Sequence, residues 1–122
     1  MRTRNELGKK GEEVACDFLI GNDWHILEKN WRTGRAEIDI IANDRHVLVF
    51  VEVKTRVSDE LGKPEDAVST KKRRLMIRAA IEYMHKLNHD GAIRFDIISV
   101  IFKNEKSFIT HIPDAFFPGI EQ

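Results

Sequence analysis

The sequence predicts an α/β domain in which a central mixed sheet is flanked by helices, in the order α-β-β-β-α-β with a further short strand. Segments of helical periodicity bracket a stretch rich in β-branched residues, and strand-like segments follow the second helix. Between them, Val47 to Val51 is a continuous apolar run. Such a run reads as a strand buried on both faces, which requires a helical layer on each side. The 122 residues suit one domain spanning the chain, with 113–122 as a C-terminal tail.

The first helix opens with a capping box, Thr3-Arg-Asn-Glu6, and should run to about Ile20, where Gly21-Asn22 ends it. Val14, Ala15, Phe18 and Leu19 form its apolar stripe, with Gly8 and Gly11 on or beside it. Each Gly costs a helix interior about 1 kcal/mol against Ala, unless something must approach closely. Glu12 falls on this small-residue face. It reads either as a stripe-edge carboxylate paired with a Lys or Arg, or as an acid reaching a functional site. Trp24 to Arg32 follows as a strand anchored by Ile26, Leu27 and Trp31, and Thr33-Gly34-Arg35 turns the chain.

The next two strands, Glu37–Ala42 and Val47–Lys54, form a hairpin across Asn43-Asp44-Arg45-His46. Residues two apart share a face. Ala36, Ile38, Ile40, Val47, Val49, Val51 and Val53 make one wholly apolar face. Glu37, Asp39 and Ile41 lie on the other with Leu48, Phe50, Glu52 and Lys54. With the turn centred on Asp44-Arg45, Asp39 lies opposite Phe50 and diagonal to Glu52, and Glu37 lies opposite Glu52. Carboxylates facing each other are destabilising. A divalent cation reverses that sign, because hard cations such as Mg²⁺ take oxygen ligands.

From Thr55 to Pro64 the chain reads as a loop leaving the carboxylate end, which positions Thr55 and Arg56 to touch a ligand. Ser69 or Thr70 caps a second helix that should run to about Leu87, with Met76, Ala79, Ala80, Tyr83, Met84 and Leu87 as core. Its first turn carries Lys71-Lys72-Arg73-Arg74. Cations there oppose the helix dipole, whereas a phosphate would be favoured by dipole, free N–H groups and side chains together. Lys71, Arg73 and Arg74 also suit a solvated face, but Lys72 points inward. Ile93 to Phe102 reads as a strand and Ser107 to Ile112 as a shorter one across Asn104-Glu105. Arg94 and Asp96 share a face and read as a structural ion pair. Phe116 and Phe117 in the tail should dock on the domain or on a partner.

Formal net charge is zero, which argues against strong nonspecific binding of polyanions. No apolar run approaches a membrane span, and the start shows no signal-peptide core. The single Cys16 sits among apolar residues and reads as a buried thiol. A cytoplasmic protein is expected. The five His residues lack metal-motif spacing.

Asp39 followed by Glu52-Val53-Lys54 resembles the PD-(D/E)XK nuclease motif. That short pattern is joined by an ordered set: Gly8-Lys-Lys-Gly11-Glu12, Asn30-Trp-Arg32, Glu37-Ile-Asp39, Phe50-Val-Glu52-Val-Lys54-Thr-Arg56, Gly62, Ala67-Val68, Lys72 with Arg74-Leu75, and Arg94-Phe95-Asp96. Together they resemble the YraN-like family of bacterial proteins over residues 5–116. Ala36 departs from that pattern, which usually has Gly before Glu-Ile-Asp, and this questions the local backbone before Glu37.

The resemblance implies a three-layer restriction-endonuclease-like core akin to Holliday-junction resolvases. The resemblance brings no substrate with it; the hypothesis is a divalent-metal-dependent nuclease acting on phosphodiester bonds, for which structure selectivity on branched DNA would fit the small size, and fold analogy with resolvases suggests a homodimer. Asp39 and Glu52 would hold Mg²⁺ or Mn²⁺ with the Val53 carbonyl, and Glu37 or Glu12 would add a ligand directly or through water. Lys54 would orient a water or stabilise developing charge. Lys72, Arg56, Thr55, Lys71 and Arg73 would hold nucleic-acid phosphates. The alternative is a nucleic-acid-binding protein of the same fold without independent catalysis. A protein-interaction scaffold without nucleic acid is a third reading.

Overall fold

The computed structural model describes residues 3–57 and 68–116. Two helices and five strands follow one another as α1 (Arg4–Gly21), β1 (His25–Thr33), β2 (Ala36–Asp44), β3 (Val47–Arg56), α2 (Thr70–Leu87), β4 (Ile93–Lys103) and β5 (Lys106–Phe116). The strands form one mixed sheet in the order β1-β2-β3-β4-β5. Neighbours are antiparallel except β3 and β4, which run parallel across the α2 connection.

The predicted α/β architecture is therefore observed, with a helix on each face. Ala15, Cys16 and Leu19 of α1 pack with Ile40, Ala42, Val49, Val51, Val53, Ile98 and Val100. On the other face Met76, Ala79, Ala80 and Tyr83 of α2 pack with Ile38, Ile41, Leu48, Phe50, Phe95 and Ile97. Strand β3 feeds both clusters, as its unbroken apolar run requires. Both helices start where expected. Thr3 Oγ1 accepts the Glu6 N–H at 3.1 Å, and Ser69 Oγ accepts the Lys72 N–H at 3.2 Å. Cys16 is a buried free thiol. Leu27 and Leu87, both expected in the core, are exposed at 41% and 46%. Leu27 falls at a register shift in β1 between Ile26 and Glu28, and Leu87 closes the last turn of α2.

Three boundaries differ from the sequence expectation. The β2–β3 turn centres on Arg45-His46, both at positive φ, rather than on Asp44-Arg45. The Asn43 side chain fixes it by accepting the His46 N–H at 2.9 Å. Thr55 and Arg56 are not loop residues; they end β3, paired with Val100 and Ile101 of β4. The final strand is not short. It continues past Pro113 to Phe116, so residues 113–116 belong to the sheet and not to a tail. Proline is tolerated there because β5 is an edge strand. Residues 58–67, most of the expected loop, and 117–122, the rest of the expected tail with Phe117, lie outside the described residues.

Candidate functional site

The predicted carboxylates sit where β2 and β3 part. Their ladder pairs Asp44 with Val47 through Ile40 with Val51, and no ladder pair is formed beyond it. The turn shift moves the register by two residues, which preserves parity, so Glu52 keeps its place on the Leu48 and Phe50 face. The inward alternation of β2, by contrast, slips. Ala36 and Ile38 join the α2 cluster, whereas Ile40 and Ala42 join the α1 cluster. The expected single apolar face of Ala36, Ile38 and Ile40 is thus divided. The slip occurs at Asp39, and in β1 the residue between Lys29 and Trp31 is Asn30, at φ 51°. A residue in the left-handed region interrupts strand pleating, and Asn tolerates it better than most. The strands open here, and the Asp39 carboxylate instead accepts the Val53 backbone N–H at 2.8 Å. Ala36 has no positive φ and is buried beside α2, so the absent Gly leaves the strand start intact.

Helix α1 supplies the third acid and the closeness. Gly11 is buried, and a Cβ there would overlap the Thr55 side chain, so glycine lets α1 lie against the end of β3. One turn along, a Cβ on Gly8 would meet nothing; Gly8 lines an open pocket instead. That cavity, of about 610 Å³, is lined by Arg4, Leu7, Gly8 and Glu12 of α1, Asp39 of β2, Glu52 to Arg56 of β3, Val57, and Lys72 of α2. Of the eleven predicted site residues, Glu12, Asp39, Glu52, Val53, Lys54, Thr55, Arg56 and Lys72 come together in it.

Glu37, Lys71 and Arg73 do not line that cavity. Glu37 is ion-paired with Arg32 and lines an adjoining cleft with Lys71 and Lys72. Arg73 holds structure, its guanidinium donating to the Val68 carbonyl at 3.1 Å and lying 5.4 Å over the Phe116 ring. Sequence reasoning did not single out Arg4 or Leu7 as lining residues. It did not assign Asn30 a role, although the Asn30 side chain hydrogen-bonds Glu12.

The electrostatics of the site are unbalanced. Glu52 is 2% exposed, yet its oxygens are treated unequally. Oε1 meets the Lys72 ammonium directly and the Lys54 ammonium at 3.7 Å, whereas Oε2 is buried and, among the described residues, has no hydrogen-bond partner. An unsatisfied buried oxygen on a charged group is costly, and native structures rarely keep one without a reason. Asp39 carries the consequence. Burial, then the charge of Glu52, push its carboxyl up to about 8 against the opposing Val53 N–H. Burial likewise raises Glu12, with Glu37 and Glu52 adding to it. Burial disfavours the Lys72 cation, but Glu52 outweighs that and its pKa is raised.

A divalent cation fits this imbalance. It would supply the missing partner of Glu52 Oε2 and relieve the repulsion between Glu52 and Asp39. Among the described residues, no three His, Cys, Asp or Glu side chains are already gathered as a metal cage. Asp39 and Glu52, with a backbone carbonyl and water, are the groups that could hold such an ion, and Glu12 lines the same cavity.

A sequence profile of the bacterial family described as "Uncharacterised protein family UPF0102" matches residues 11–100. The chain belongs to this family. UPF0102 proteins from Flavobacterium psychrophilum and Thermodesulfovibrio yellowstonii are 47% and 46% identical to it, covering 96% and 93% of this chain and 98% of each relative. A UPF0102 protein from Phocaeicola vulgatus is 42% identical over 98% of this chain and 99% of its own. The matched UPF0102 region contains every lining residue of the cavity except Arg4, Leu7 and Gly8. Among the described residues of this UPF0102 protein, no helix is long and apolar enough to cross a membrane.

Proposed function

We propose that this UPF0102 protein is a divalent-metal-dependent nuclease with a restriction-endonuclease-like core. In this reading it hydrolyses phosphodiester bonds in nucleic acid, with branched DNA as the preferred form. The observation that carries the reading is the buried Glu52 oxygen that has no hydrogen-bond partner among the described residues, beside Asp39 at the wall of a cavity that also presents Lys54, Lys72, Arg56 and Arg4. Buried acids that could hold a cation, on the same cavity wall as basic side chains, suit a phosphodiester and its metal.

Bound Mg²⁺ or Mn²⁺ would stabilise charge on the phosphate and acidify water. Asp39 and Glu52 would hold it, and the Val53 N–H keeps the Asp39 carboxylate oriented. Lys54, 3.7 Å from Glu52 at the same end of β3, would stabilise charge developing on the scissile group. Lys72 and Arg56 would take neighbouring phosphates, which gives affinity without base reading. Glu12, held by Asn30, would accept a proton or a water-mediated ligand contact from the α1 side.

A second reading, binding without cleavage, is favoured by one observation. The Lys72 ammonium already sits on Glu52, so the site is partly neutralised without metal. Labelled linear, single-stranded and four-way branched DNA, incubated with Mg²⁺ or Mn²⁺ or with chelator, separates the two. Metal-dependent cutting by wild type and none by Glu52→Gln is the expected result. Binding that falls with salt but never cuts would establish the second reading.

A further inference from the structure

We propose that Lys72 is a built-in counter-cation for Glu52, displaced when a divalent cation binds and thereby released toward incoming phosphate. This rests on the metal-site reading above. Glu52 Oε1 has two ammonium groups near it, while Oε2 has no hydrogen-bond partner among the described residues. A carboxylate that engages a divalent cation cannot keep both ammonium groups at its oxygens without like-charge repulsion. One of them must leave, and the geometry points to Lys72.

Its backbone is fixed, because the Lys72 N–H donates to the Ser69 cap. Its side chain is the more exposed of the two, 41% against 26% for Lys54. Four methylenes let the ammonium move while the helix stays still. It also has somewhere to go. Lys72 lines both the 610 Å³ cavity and an adjoining cleft of about 280 Å³, whose wall includes Glu37, Ser69 and Lys71. An ammonium leaving Glu52 stays at the start of α2, where phosphate is favoured by the helix dipole. Cation and phosphate would then bind with positive coupling, since each favours the same displaced Lys72.

Mn²⁺ alone, titrated calorimetrically into wild type, Lys72→Met and Arg78→Gln, tests this. Arg78 is an exposed α2 residue that controls for lost net charge. Lys72→Met is expected to bind Mn²⁺ about tenfold more tightly than wild type, a typical coupling magnitude, and Arg78→Gln within about twofold. Melting supplies a second readout. In chelator Lys72→Met should melt below wild type, because Glu52 loses its partner, and saturating Mn²⁺ should raise its melting temperature by more than it raises wild type.

Equal Mn²⁺ affinity in wild type and Lys72→Met would overturn the displacement while leaving the metal site standing. Weaker binding by Lys72→Met would overturn it too, and make Lys72 a group that positions Glu52 for metal. No heat and no melting shift in any of the proteins would remove the metal site, and this proposal with it.

Discussion

Strands β3 and β4 lie side by side, and each buries an acid at nearly the same level of the sheet. Glu52 pairs with Ile97, and Asp96 pairs with Val51 one step away. Glu52 faces α2, where it meets Lys72, and Asp96 faces the α1 side. There the Asp96 carboxylate, 0% exposed, is saturated. It accepts from Arg94 at 2.8 and 3.0 Å, from His111 Nε2 at 2.7 Å and from the Asp114 N–H at 3.0 Å. An ionised carboxylate can only accept, so His111 Nε2 carries its hydrogen. Burial alone would raise the Asp96 carboxyl, but the bonds from His111, Arg94 and Asp114 hold it below the usual range. Asp39, beside Glu52, has one backbone N–H and is pushed up to about 8. Burial of an acid is therefore not the functional signal. The difference lies in whether the protein completes its hydrogen bonding.

Function should break at one centre and stability at the other. Asp39→Asn and Glu52→Gln keep side-chain volume and remove charge, so both should fold and lose cleavage by about a thousandfold or more. A DNA-cleavage assay on purified, folded protein checks this, and wild-type rates in either variant would end the assignment. Asp96→Asn should do the reverse. Breaking a buried charged network by removing one partner costs about 3 kcal/mol or more, so its urea midpoint should fall steeply while cleavage per folded molecule persists. An unchanged midpoint would show that Asp96 does not tie β5 to the sheet.

A smaller effect sharpens the contrast. Mn²⁺ at about a hundred times its dissociation constant should stabilise wild type by about 2.7 kcal/mol. Thermal melts should show that gain in wild type and in Asp96→Asn, and not in Glu52→Gln. A gain that survives in Glu52→Gln would place the cation elsewhere.

How legible these two centres were differed for a physical reason. Parity along β3 was readable because the strand is regular, and parity survived even a misplaced turn, since the register moved by two. Parity along β2 failed at Asp39, because the slip level with Asn30 in β1 is a two-strand feature and a period-two pattern contains no trace of it. Lys72 was legible through the α2 stripe. Arg73 read like Lys71 and Arg74, as suiting a solvated face or a phosphate, and only the fold shows that Phe116 and the Val68 carbonyl hold it. The Arg94–Asp96 pair was expected, but His111 and Asp114 were not. His111 reaches Asp96 as the partner of Ile98, two residues along the same face of β4, whereas Asp114 does so because β5 bulges between Ile112 and Phe116, with Asp114 at φ 55°, and Pro113 had suggested that the strand was over.

The smallest expected effect is the acid limb of stability. Asp96 has a folded pKa below its unfolded value near 3.9, so the folded state holds its proton less tightly. Its contribution is then fully present above the unfolded pKa and is lost as pH falls through the folded pKa. Unfolding free energy of wild type should therefore decline as pH is lowered below about 4, more steeply than that of Asp96→Asn, which has no carboxyl to titrate there. The two curves should converge toward low pH. Arg94 stays charged throughout, so it does not confound the comparison. Urea unfolding from pH 6 to pH 2.5, in chelator, measures both curves. Parallel curves would mean that Asp96 has the same proton affinity folded and unfolded, and that its four hydrogen bonds do no more than offset its burial.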